Sequence, residues 1–151
     1  MHYEVGSEAD VLLFQASGVI DSVSFDDWEV AVRARAGRRI PTGVLLDLRL
    51  IEYDGTLLEL RSYAKKLGRY DQTKIAIVMH EGYDFGLARA ALLLARLTPG
   101  KHRVFRHVCN ARQWVGLPIG ARPRFWRYRC TCAACSQPIL ATCRSPSLGV
   151  H

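Results

Sequence analysis

The feature that most constrains the fold is an alternation of short apolar runs with longer segments of helical periodicity. The runs 43–48 and 74–79 are rich in Val, Ile and Leu, and turn or polar residues bound each of them. Such runs are typical of strands that are buried on both faces of a sheet. The segments 57–67 and 85–97 have apolar residues at intervals of three or four, which predicts helices. This alternation predicts parallel strands joined by right-handed crossovers.

The remaining elements complete an α/β architecture. Strands near 2–5 and 11–18 predict an opening β-hairpin, and a helix over 24–36 follows it. A last short strand at 102–105 precedes a final helix that Asn110 is expected to cap. The predicted order is β-β-α-β-α-β-α-β-α. It describes a right-handed βα superhelix with a mixed, mostly parallel sheet of about five strands, an antiparallel N-terminal hairpin at the edge, and four helices.

Helix starts and sheet faces can also be predicted. Thr56 and Glu59 form a capping-box pattern, and Asp84 is expected to cap the third helix. The helices should cover one face of the sheet more fully than the other, and one face should line a pocket or partner surface. Trp28, Leu60 and Leu94 are predicted to be buried. The two faces should alternate along the strands, with Leu45, Asp47, Ala76 and Val78 on one and Val44, Leu46, Ile75 and Ile77 on the other.

The composition changes at about residue 117. Residues 1–118 carry 16 basic and 14 acidic side chains, whereas residues 119–151 carry five Arg and no acid. We therefore predict a domain at 1–117 and a basic, poorly ordered tail at 118–151. Nucleic acid is an unlikely partner except through this tail, where the run 122–129 interleaves Arg with aromatic residues. A shifted reading frame or an accidental extension of the gene would also encode such a tail.

The cysteines follow the same division. Cys109 is alone in the predicted domain, which fits a reducing compartment. The tail contains one C-x-x-C pair, whereas structural zinc sites usually have two ligand pairs. We therefore expect no cofactor and no metal. The weak metal candidates are Cys130, Cys132, Cys135 and Cys143.

The N-terminal residues have neither the basic nor the apolar region of a signal peptide. The most apolar stretch, 85–97, is short and contains two Arg, so no membrane span is expected. These observations predict a cytoplasmic protein.

The run Val44 to Leu48, followed by Asp54-Gly55-Thr56, resembles the strand–loop–helix of STAS domains. In sporulation anti-sigma-factor antagonists this region has Leu-Asp-Leu-Ser and then Asp-Ser-Ser-Gly-Leu. The chain from 1 to 116 is similar to bacterial SpoIIAA-like proteins in its opening strand, its strand-end Asp47 and its Phe-Gly-Leu-Ala-Arg helix start. The resemblance implies a fold shared with CRAL-TRIO lipid-binding domains. It also implies that Thr56, the nearest match to the phosphorylated Ser after one deletion, is the candidate phospho-acceptor.

Ligands of α/β proteins usually bind at the ends of strands. The candidate ligand- or partner-binding residues are therefore Asp47, Asp54, His80 and Tyr83, together with Arg89, which could hold an acidic group on the third helix. The structural alternatives are pairing of Asp47 with Arg49 or a strand-end amide, and a solvated helix face for Arg89.

These features predict a non-enzymatic, STAS-like interaction or regulatory module of the bacterial cytosol. Two alternatives stay open, which are a carrier of a lipid or another small apolar ligand, and a small enzyme that uses His80 as a general base. No nucleophile elbow or glycine-rich phosphate loop supports an enzyme. The expected partner is a protein or a small apolar ligand, and a homodimer is left open.

Overall fold

The computed structural model describes residues 2–19, 22–37, 40–53, 56–70, 72–80, 82–94 and 101–119. Within these ranges the chain forms five strands and four helices in the predicted order. The elements are β1 His2–Glu8, β2 Val11–Val19, α1 Ser22–Ala36, β3 Gly43–Glu52, α2 Leu57–Leu67, β4 Lys74–Val78, α3 Tyr83–Leu94, β5 His102–Phe105 and α4 Val108–Trp114.

The strands form one mixed sheet in the order β1-β2-β3-β4-β5. β1 is antiparallel to β2, and the other neighbours are parallel. Val44 lies beside Ile75 and Leu46 beside Ile77, so the predicted pairing of 43–48 with 74–79 is confirmed. The α/β fold class is confirmed with it. β5 lies at one edge of the sheet, and this position shapes the site described below.

The two faces of the sheet are covered unequally, as the alternation predicted. One face packs against α1, α2 and α3, which contribute side chains such as Val32, Tyr63 and Ala91. Of the described helices, α4 alone packs on the opposite face, and it covers the set that includes Leu45, Ala76 and Val78. The first face is formed by Leu12, Phe14, Ala16, Val44, Leu46, Ile75, Ile77 and Val104.

Helix α4 approaches the sheet closely at its C-terminal end. A Cβ atom on Gly43, the first residue of β3, would lie 3.2 Å from the Cβ atom of Val115. Leu117 is buried beyond the helix end in the same cluster. The absence of a side chain at Gly43 therefore lets the end of α4 pack against the start of a central strand.

Several predicted boundaries are wrong. β3 continues to Glu52 because its last residues pair with the end of β2, with Ile51 beside Gly18. The hairpin turn consists of Ala9 and Asp10 and is shorter than predicted, because β1 extends to Glu8, which pairs with Val11. α3 begins at Tyr83, so Asp84 lies in its first turn rather than at the cap position. Asn110 is likewise inside α4, which begins at the buried Val108 and has His107 at the N-cap position.

Some predictions concern residues or side chains outside those described. The side chains of Trp28 and Leu94 belong to this group, as does the tail from residue 120 onward. Leu60 is half-buried against the core rather than fully buried. None of the described helices is long and apolar enough to cross a membrane.

Candidate functional site

A groove of about 730 Å³ follows the outer side of β5, between α3 and the start of α4. Its volume is in the range of pockets that bind ligands. We call it the basic groove, because His and Arg supply its ionisable side chains. It is lined by Phe85, Arg89, Leu92, Leu93, His102, Arg103, Val104, Phe105, Arg106, His107 and Asn110.

Aromatic rings hold the arginines of the basic groove. The guanidinium carbon of Arg106 lies 4.7 Å from the centre of the Phe85 ring, and that of Arg89 lies 6.0 Å from the same ring. On the other side of β5, the guanidinium carbon of Arg103 lies 5.4 Å from the centre of the Phe105 ring. Stacking on a ring orients a guanidinium group.

Among the described residues that line the groove, every ionisable side chain is basic. Arg89, Arg103 and Arg106 are exposed, and the described residues that line the groove include no Asp or Glu. Within the described part of the chain, neither Arg89 nor Arg103 forms a salt bridge. Cations that are gathered in a concave site raise the local concentration of anions. The groove can therefore hold a carboxylate or a phosphate.

Sequence reasoning identified Arg89 and missed its neighbours in the groove. The structure brings Arg89 of α3 next to Arg106, because the helix packs beside β5 and both side chains contact Phe85. One signal was present in the sequence. The segment 101–107 contains one Lys, two Arg and two His and no acid, which is unusual for a short strand and its flanks.

Asp47 lies on β3, two strands from β5, and is not among the residues that line the groove. Its carboxylate accepts two hydrogen bonds of 2.8 Å from the guanidinium of Arg49 and one of 3.2 Å from Nε2 of Gln15. The backbone N–H of Arg49 also donates to it, at 3.3 Å. Asp47 is 2% exposed, so this pairing compensates a buried charge on the central strand. The pairing of Asp47 with Arg49, which the sequence suggested as an alternative to a ligand role, is present in the structure.

Of the other strand-end candidates, His80 is the one whose side chain the structure describes. His80 follows β4 and is exposed, and no hydrogen bond of its imidazole occurs within the described residues. Tyr83 is the first residue of α3, but its side chain lies outside the described part of the structure, as does the whole of Asp54. No group of three or more His, Cys, Asp or Glu placed to hold a metal ion occurs among the described residues. The four tail cysteines lie outside them.

Thr56 is the exposed N-cap of α2, and the predicted capping box is present. The backbone N–H of Thr56 donates to Oε2 of Glu59 at 2.6 Å, and the Glu59 N–H donates to Oγ1 of Thr56 at 3.3 Å. The backbone hydrogen bond from Thr56 lowers the pKa of Glu59 below its usual value. Tyr53 donates to the Thr56 carbonyl at 2.5 Å. Burial, followed by the charge of Glu59, raises the pKa of Tyr53 to about 12.

Comparisons with known proteins support the fold. No protein-family model matches the chain, and no curated protein matches it. Among solved structures, it is similar to an uncharacterised protein of the DUF3478 family with a SpoIIAA-like fold from Shewanella loihica PV-4. The two chains are 20% identical with a TM-score of 0.51, and the match covers 76% of this chain and 92% of the other. The predicted SpoIIAA-like fold is thereby confirmed.

Proposed function

We propose that this chain is a non-catalytic binding module that recognises an anionic group of its partner in the basic groove. The observation that carries the proposal is the convergence of Arg89, Arg103 and Arg106 from two elements on one groove. Stacking on Phe85 and Phe105 restricts these side chains before any partner binds. Restriction of this kind lowers the entropy cost of forming charge-assisted hydrogen bonds.

The three arginines of the groove are suited to binding rather than to acid–base chemistry. Arg does not release its proton at physiological pH, so it serves as a fixed donor and not as a general base. The candidate base, His80, does not line the groove, and Asp47 is occupied by Arg49. These placements support a role of the arginines in binding rather than in proton transfer.

The proposal can be tested by NMR titration of the full-length chain with inorganic phosphate and with glutarate. We expect the largest shift changes at the amides of Arg89, Arg103 and Arg106. The double variant Arg89→Gln/Arg103→Gln should lose these changes. A matched control, Arg35→Gln/Lys65→Gln, removes two exposed positive charges outside the groove and should keep them. Equal responses of the two double variants would contradict the proposal.

A second candidate function is regulation through phosphorylation of Thr56. The specific observation is an exposed hydroxyl at the N-terminus of α2, where backbone N–H groups and the helix dipole favour a phosphate. The nearby Glu59 carboxylate opposes this phosphate by like-charge repulsion. Incubation with a bacterial anti-sigma kinase and mapping of the phosphate would test it. Phosphate elsewhere, or none, would exclude Thr56.

Carriage of an apolar ligand has weaker support. One of the two sheet faces was expected to line a pocket or partner surface. One face is covered by α4, whose Val108 and Ala111 pack on Leu45 and Val78, and the other is covered by α1, α2 and α3. Native mass spectrometry of the freshly purified chain separates this alternative from the first. A stoichiometric fatty acid or phospholipid that survives the Arg89→Gln/Arg103→Gln substitution would favour the carrier.

A further inference from the structure

We infer that the partner of the basic groove is an acidic peptide segment in extended conformation, which adds to the sheet as a further strand beside β5. The inference rests on the proposed function, because it names the partner for the same groove. Addition of a strand to an open sheet edge is a general mode of peptide recognition.

The outer edge of β5 is open within the described part of the chain. β5 is the last strand in the sheet order, and β4 is its neighbour. The carbonyls of Lys101 and Phe105 accept hydrogen bonds from β4, namely from the N–H groups of Ile75 and Met79. Because backbone groups alternate in direction along a strand, the N–H and C=O of Val104 point away from β4, into the groove.

On each side of this edge, an added strand would meet arginine and an aromatic ring. On the α3 side a peptide would meet Arg89, Arg106 and Phe85. On the α4 side it would meet Arg103 and Phe105. Side chains of an added strand alternate between these two sides. A segment with acidic residues at alternate positions would therefore direct all of them at Arg89 and Arg106, or all of them at Arg103.

Charge favours a peptide over the other occupants of an open edge. A second copy that pairs β5 with β5 would bring two basic grooves together. The tail of this chain carries five Arg and no acid over residues 119–151, so the positive charge of the groove repels it as well. A free phosphate or a lipid head group could use the arginines, but it would leave the backbone groups of Val104 unused. An acidic strand uses both features.

The test uses the full-length chain and an eight-residue peptide of alternating Glu and Thr, with two N-methylated isomers. One isomer is methylated at every Glu nitrogen and the other at every Thr nitrogen. In an extended peptide, the N–H groups of alternate residues point to the same side. One isomer therefore loses the hydrogen bonds to β5, and the other keeps them. We expect the first to bind about tenfold more weakly than the parent peptide, which corresponds to losing one or two hydrogen bonds.

Hydrogen exchange locates the complex. The parent peptide should slow exchange of the Val104 amide and leave that of Val5, on the opposite edge strand β1, unchanged. The isomer that loses affinity shows whether the Glu or the Thr nitrogens face β5. Arg89→Gln/Arg103→Gln should weaken the parent peptide by up to about fivefold, as expected for the loss of one exposed charge pair on whichever side its Glu side chains face.

Three outcomes would overturn strand addition. The two isomers could bind equally well, the parent peptide could protect β1 instead of β5, or it could fail to bind at about 1 mM, the weak end of specific affinities. If phosphate or glutarate still shifts the groove amides in any of these cases, the proposed anion recognition stands and only the strand is lost. If those anions also fail, both proposals fail together.

Discussion

Arg112 of α4 is joined to Glu8 of β1 by two hydrogen bonds, from its Nη2 to the two carboxylate oxygens at 2.8 and 3.0 Å. Its Nε also donates to the carbonyl of Pro118 at 3.1 Å. The Arg112 side chain is 4% exposed, whereas that of Glu8 is 27% exposed. One guanidinium therefore connects the first strand, the last helix and the segment after it.

The unequal burial of this pair predicts unequal costs for removing either partner. Glu8→Ala leaves a buried positive charge and should lower the free energy of unfolding by about 3 kcal/mol. Arg112→Met removes the buried charge and leaves a carboxylate that water can reach, so about 1–2 kcal/mol is expected. Urea unfolding measures both. Glu52→Ala, at an exposed carboxylate, is the control and should change stability by less than about 0.5 kcal/mol. A larger loss in Arg112→Met than in Glu8→Ala would contradict the argument.

The C-terminal boundary of the domain can be located by two truncations. A chain of residues 1–119 keeps the buried Leu117 and the carbonyl of Pro118. It should unfold at the same temperature as the full-length protein, because the tail has no apolar periodicity with which to build a core. A chain of residues 1–116 loses Leu117 and should be about 2–3 kcal/mol less stable. A clear loss of stability in the 1–119 chain, or stoichiometric zinc in the full-length protein, would give the tail cysteines a structural role.

The capping box predicts a pH dependence. A carboxylate whose folded-state pKa is lowered adds stability above its unfolded value, and this contribution is lost as the pH falls through the folded value. Glu59 has its pKa lowered from 4.5. Glu59→Gln should therefore be less stable than the native chain at pH 7, and the difference should disappear on acidification below the folded-state pKa. Urea unfolding across this range tests it, and a difference that grows on acidification would be the wrong sign.

Removal of the cap itself gives a second measurement at α2. Thr56→Ala should cost about 0.5–2 kcal/mol at pH 7, because an N–H of the first turn loses its acceptor. Thr56→Ser keeps the oxygen and is the matched control, for which a much smaller change is expected. A Thr56→Ala variant as stable as Thr56→Ser would show that the hydroxyl is not used as a cap.

Close packing at Gly43 predicts coupling with Val115. Gly43→Ala places a Cβ within 3.2 Å of the Val115 Cβ and should cost about 1–3 kcal/mol. Val115→Gly removes this Cβ atom together with the Val115 methyl carbon that would lie 3.5 Å from the added atom. The double variant should therefore be more stable than the sum of the two single losses predicts, and a double-mutant cycle measures the difference. Strict additivity would mean that α4 moves away from the strand without strain.

Much of the fold was predictable because it follows from local periodicity. The alternation of Leu45 and Asp47 with Val44 and Leu46 determines which side chains share a face, and the structure has that division. The end of β3 was not predictable in this way. Residues up to Glu52 are in a strand because the end of β2 extends beside them. The register between two distant segments cannot be predicted from the sequence of either segment alone.

The candidate site was less predictable than the fold for a similar reason. Arg89 stands out in an apolar helix, and Thr56 with Glu59 is a local pattern that can be read directly. The meeting of Arg89 with Arg106 depends instead on how α3 packs beside β5, over a separation of 17 positions in the sequence. For Asp47 the local sequence was sufficient, because the pairing with Arg49, two residues away, could be suggested from the sequence and is present in the structure.

The most direct test of the central claim is the salt dependence of binding to the alternating Glu and Thr peptide, measured by fluorescence anisotropy. The native chain and Arg35→Gln/Lys65→Gln should both lose affinity steeply as salt rises from about 0.05 to 0.5 M, since screening weakens exposed charge pairs. Arg89→Gln/Arg103→Gln should bind weakly at low salt and change little. If all three proteins bind alike and respond to salt alike, the basic groove is not where the anion binds.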